Sequence, residues 1–156
     1  MKTLTPHPRL WLTGPALVLA ALMAGALPAA AIDCPGSVQN AAQVSLTLDP
    51  EHGKIVADPP TVTIYMQEGK EKPGRVCWVV QNLGEGQTLH IAGKEGQPDT
   101  FPDAERTITL PRTFANSGRP ARAGKWLYEL WITEEGKEGK LLLTDPEVNV
   151  DGGGGG

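Results

Sequence analysis

Beyond residue 40, apolar and polar positions alternate along most of this chain. Val44, Leu46 and Leu48 alternate with Ser45 and Thr47, and Val62, Ile64 and Met66 alternate with Thr61, Thr63 and Tyr65. Val76, Trp78 and Val80 share one side of a short run, while Cys77, Val79 and Gln81 share the other. Leu89 and Ile91 flank His90, and Ile108 and Leu110 alternate with Thr107 and Thr109. Trp126, Tyr128, Leu130 and Ile132 make the longest such series, and Leu141–Leu143 and Val148–Val150 supply two short closing segments. Neighbouring side chains of a strand point to opposite faces. A period of two, rich in β-branched and aromatic residues, therefore predicts half-buried strands.

The residues between these runs are turn formers: Asp49-Pro50, Asp58-Pro59-Pro60, Lys72-Pro73-Gly74, Gly84-Glu85-Gly86 and Glu135-Gly136. No 12-residue amphipathic helix pattern occurs. Seven to nine short strands in about 120 residues predict an all-β fold. The expected form is an antiparallel Greek-key β-sandwich of cupredoxin-like or immunoglobulin-like type, with a small closed barrel as the alternative. Gly93 to Ala123 is polar and bears Pro and Gly, so it is expected as a long loop with one weak strand near Thr107.

The first 31 residues break this pattern. Lys2 and Arg9 precede an apolar run of 13 residues from Pro15 to Leu27, and Pro28 and Ala29-Ala30-Ala31 follow. That order is a secretory signal peptide, with cleavage after Ala31 and Ala30 as the alternative. The competing reading is a membrane anchor, but a spanning helix needs about 20 apolar residues. Asp33 stands where a lipoprotein signal needs a small residue before Cys34. The expected organisation is thus a signal peptide over 1–31, a β-sandwich domain over 32–150, and a flexible glycine tail over 151–156. Residues 32–156 carry twelve Lys and Arg against eighteen Asp and Glu, a net charge of −6. An acidic chain of this kind argues against nucleic acid or an anionic membrane surface as partner. The expected location is extracytoplasmic, periplasmic or secreted.

Cys34 and Cys77 are the only two cysteines. In an oxidising compartment such a pair is read as a disulfide, the alternative being a buried free Cys77 beside a loose Cys34. Forty-two residues lie between them. Closing that loop is worth roughly 4 kcal/mol on the chain-entropy view.

Four segments carry a family resemblance: Lys54-Ile55-Val56-Ala57-Asp58-Pro59-Pro60-Thr61-Val62-Thr63, Val76-Cys77-Trp78-Val79-Val80, Gly124-Lys125-Trp126-Leu127-Tyr128-Glu129-Leu130 and Leu143-Thr144-Asp145-Pro146-Glu147-Val148. Together they resemble small exported bacterial proteins with a cupredoxin-like or immunoglobulin-like sandwich. The resemblance implies that fold and no particular activity.

A cupredoxin-like fold raises the question of copper. A blue-copper site needs two His, a Cys and usually a weak Met ligand, yet no Cys or His follows His90. No cofactor and no dedicated metal site are expected, with His52 and His90 as the weak candidates for an adventitious ion. No Gly-x-Ser-x-Gly elbow is present, and Glu134-Glu135 reads as a solvated turn rather than a catalytic pair. No catalytic residue is assigned. Binding remains, to a protein or carbohydrate partner. Trp126 and Tyr128 fall on the core side of their strand and Leu127 and Trp131 on the other. Trp131 near Tyr65 is the candidate ligand surface, unless the loop from Gly93 to Pro120 covers it. The function expected from sequence is an exported, non-enzymatic accessory or interaction module, or alternatively a ligand-binding module.

Overall fold

Alternation decides which face most strands bury, and the described residues form ten strands. They are β1 (Ala41–Asp49), β2 (Lys54–Asp58), β3 (Thr61–Tyr65), β4 (Arg75–Val80), β5 (Gln87–Gly93), β6 (Thr107–Thr109), β7 (Phe114–Asn116), β8 (Gly124–Glu134), β9 (Leu143–Thr144) and β10 (Glu147–Asp151). The computed structural model describes residues 34–36, 38–137 and 143–153. The expected signal peptide lies outside the described residues, as do Leu141, Leu142 and residues 154–156. Among the described residues there is no helix, and none long and apolar enough to cross a membrane.

Two sheets face each other. The smaller has the order β2-β1-β4-β7, and the larger β3-β10-β8-β5-β6, with β9 also paired to β8. The fold is the expected all-β sandwich, but it is not purely antiparallel. β1 runs parallel to β4, from Ala41↔Arg75 to Leu46↔Val80, and β3 runs parallel to β10. The cause is an excursion between β1 and β4. The chain turns back as β2, crosses at Pro59-Pro60 to become β3 of the other sheet, and returns running in the direction of β1. Hydrophobic period sets which face of a strand is buried but not the direction of its neighbour.

The inward faces interdigitate in one core. Val44, Leu46, Leu48, Val76, Trp78 and Val80 from the smaller sheet meet Val62, Ile64, Leu89, Ile91, Ile108, Leu130, Ile132, Val148 and Val150 from the larger. At its centre Trp126 stacks on Tyr128 at 4.9 Å between ring centroids, and the Trp78 indole N–H donates to the Tyr128 hydroxyl at 3.1 Å. That bond satisfies two polar atoms that are otherwise costly to bury. Burial pushes the Tyr128 phenol up to about 12, against the opposing effect of the Trp78 bond. The expected long loop is more structured than its composition indicates. It contains β6 and β7 and buries Phe101, which meets Trp126 edge-on at 4.9 Å.

β4 is covered on both faces. Cys77 and Val79 point away from the core and are nevertheless fully buried. Val38, Cys34, Ala41 and Phe114 pack over them. The Cys34–Cys77 disulfide, with 6.4 Å between Cα atoms, ties this covering segment down. β10 runs through Asp151, opposite Tyr65, one residue into the expected tail.

Candidate functional site

The sequence-based candidates occupy three separate places. Trp131 is half-buried on the outer face of β8, directly opposite His90 of β5. Their rings stack with centroids 5.0 Å apart and planes within 7°. A ring spacing equal to the spacing of neighbouring strands means that both rings stand up from the sheet, face to face. One face of Trp131 is thus covered by imidazole, which leaves at most the other face for a ligand. His90 Nε2 is also 2.7 Å from the Thr133 hydroxyl. In the loop beyond Gly93 the Gln97 side chain bridges both backbone groups of Leu127 at 3.0 Å, and β6 places Thr107 opposite His90.

Tyr65 does not join Trp131, which corrects that expectation. It pairs with Asp151, beyond the point where Val150 meets Gly124 at the start of β8. Trp131 lies near the other end of the same strand, on the order of 25 Å away at about 3.3 Å per residue. Tyr65 carries Lys72 over its ring at 5.3 Å instead. His52 and His90 do not converge either. His52 lies in the β1–β2 turn with Nδ1 2.8 Å from Asp49 Oδ2, whereas His90 is on the outer face of the larger sheet. Among the described residues no group of three or more His, Cys, Asp or Glu is placed to hold a metal ion.

A different site emerges where the β1–β2 turn, the β4–β5 turn and the end of β8 meet. A cleft of about 360 Å³ opens there, lined by Leu48, Pro50, Gly53, Asn82, Gly84, Gln87, Ile132 and Glu134. Its floor is apolar because Leu48 and Ile132 are the last inward-facing residues of β1 and β8. Its walls are fixed by side chains that complete the backbone. The Leu48 N–H donates to Asn82 Oδ1 and Asn82 Nδ2 donates to the Leu48 carbonyl, both at 2.8 Å. The Gly84 N–H donates to Gln87 Oε1 at 2.8 Å. These bonds fix the β1 end and the β4–β5 turn as walls of the cleft.

The electrostatics of the mouth are acidic. Lys137, 2.8 Å from Glu134 Oε1, holds that carboxyl below its usual range against the raising effect of burial. At Asp49 burial raises the pKa, but bonds from the His52 backbone and ring outweigh it and the net shift is downward. A carboxylate that stays ionised and solvated is suited to charge recognition and poorly suited to proton transfer near neutral pH.

The sequence reading missed this cleft because its residues come from three distant turns and share no motif. The signal available was indirect: turn chemistry at Asp49-Pro50 and Gly84-Glu85-Gly86, each following an apolar strand end. No family model matches the chain, and no curated protein matches it.

Proposed function

We propose that this chain is an exported, non-enzymatic β-sandwich that serves as a binding module outside the cytoplasm, with the turn-end cleft as its binding site. One observation carries the reading: a cleft with an apolar floor at Leu48 and Ile132 and a polar rim held by backbone bonds. Such a combination is the usual form of a ligand or anchor-residue site. The leader-like residues 1–31 and the Cys34–Cys77 disulfide support export. The resemblance to small exported sandwich proteins is in keeping with it.

A photo-crosslinking amino acid placed at Pro50, an exposed residue on the rim, tests the site in the protein's own compartment. Arg122, exposed near the start of β8, serves as the control position. Adducts from position 50 and none from position 122 are expected. Equal adducts from both, or none from position 50, would refute the cleft as the binding site. Turnover of any substrate that a point mutation abolishes would refute the non-enzymatic reading.

A further inference from the structure

We infer that the cleft receives a basic protein segment, with an apolar side chain seated on Leu48 and Ile132 and flanking lysine or arginine side chains meeting carboxylates around the mouth. The inference rests on the cleft being the binding site, and adds the chemistry of the occupant.

Charge is the first support. The three framing segments and the adjoining strand ends carry Asp49, Glu51, Glu85, Glu134 and Glu135, against Lys54 and Lys137. Asp49 is engaged by His52 and Glu134 by Lys137. Glu51, Glu85 and Glu135 are exposed and make no ion pair among the described residues. At the opposite end acids sit among cations: Glu68 pairs with Arg119 and Arg75, Glu147 pairs with Lys125, and Glu71 lies between Lys70 and Lys72 in the β3–β4 turn. The turns around the cleft therefore carry five acidic side chains to two basic ones, beside an apolar floor. A surface of this sign speeds encounter with cationic partners and disfavours acidic ones.

Position is the second support. Cys34 is tied beside the start of β4, and β10 ends at Asp151 opposite Tyr65. Both lie at the end of the sandwich away from the cleft, so the described chain enters and leaves where it does not cross the mouth. The volume is the third. About 360 Å³ suits one or two apolar side chains of a docking segment and is at the small end for a whole drug-sized ligand.

The test uses three blocked pentapeptides added to isotopically labelled residues 32–156 and followed by amide NMR. One has leucine between two lysines, the second leucine between two glutamines, and the third glycine between two lysines. The first is expected to shift the amides of Leu48, Asn82, Gln87 and Ile132, and to bind at least tenfold more tightly than either control. Salt should weaken it. The double variant Glu85→Lys, Glu135→Lys, changed only at exposed positions, is expected to lose at least tenfold. Equal binding of the glutamine peptide would overturn the charge inference and leave the cleft as the site. Equal binding of the glycine peptide would overturn the apolar seat. If no leucine peptide shifts those four amides, the cleft reading falls as well.

Discussion

Breaking the disulfide by Cys34→Ser is the most informative perturbation of the fold. Cys34 is half-buried, whereas Cys77 is fully buried among Val38, Val79 and Phe114. Substitution at Cys34 therefore removes the crosslink from the partly exposed side of that cluster and leaves its fully buried members unchanged. The bond spans a sequence separation of 43, and β1, β2 and β3 all lie inside the loop it closes. Chain entropy alone assigns that loop about 4 kcal/mol of stabilisation. The bond lies beside the parallel pair Gln43↔Cys77, so the crosslink holds together two strands whose pairing the chain otherwise reaches only after passing through both sheets. Domains of this size have total stabilities of about 5–15 kcal/mol, so the variant should remain folded but be markedly weakened. Urea unfolding followed by tryptophan fluorescence is the assay. With a slope of about 1.5 kcal/mol per M, the midpoint should fall by about 2.5 M. The reduced wild-type protein should unfold with the variant. A loss below about 1 kcal/mol, or reduced protein as stable as oxidised, would refute the argument that this bond constrains the unfolded chain and fixes the β1–β4 pairing.

Other consequences follow from the core and the outer face. Because Tyr128 is neutral in the folded protein up to about pH 12 but ionises near 10 when unfolded, stability should hold below pH 10 and fall by about 1.4 kcal/mol per pH unit between 10 and 12. Tyr128→Phe should abolish that slope, at a cost of about 1–3 kcal/mol at pH 7 for the buried Trp78 N–H left without its partner. A pH series of urea midpoints for both proteins checks this. Gly93→Ala would place a Cβ 2.7 Å from Trp126 Nε1. It should destabilise by about 1–3 kcal/mol through overpacking, read as a lower Tm, because a contact that short forces the indole or the β5 backbone to shift. A double-mutant cycle on His90 and Trp131 should give a coupling of about 0.5–1.5 kcal/mol. Coupling near zero would mean that the stack is not maintained in solution.

Strand positions were legible where one face alone is buried. Trp126, Tyr128, Leu130 and Ile132 alternate with less buried neighbours because β8 has one core face, and the same holds for Leu89 and Ile91 around His90. Legibility failed where burial departs from that rule. Val79 and Cys77 point outward yet are covered by a segment stapled from residues 34–38, so β4 is buried on both sides. In β2 Ile55 and the small Ala57 face the core, and the exposed Val56 between them masks the period. Strand direction is set by connections, which is why the parallel pairings of β1 and of β3 left no trace in the pattern. The site was the least legible part. Trp131 and Tyr65 looked alike in sequence, as outward aromatics on strands, but sheet register separates them by most of the length of β8. The cleft depends on turn residues such as Asn82 and Gln87, whose side chains substitute for backbone partners, a role that composition alone does not reveal.

Export and disulfide formation are the premises of the proposed function, and one measurement addresses both. Native intact mass would be taken on the protein recovered from its own extracytoplasmic fraction, before and after reduction. The expected mass is that of Ile32–Gly156 less two hydrogens, rising by two hydrogens on reduction. Recovery only from the cytoplasm, retention of residues 1–31, or a mass showing two free thiols would contradict the reading of this chain as an exported, disulfide-tied binding module.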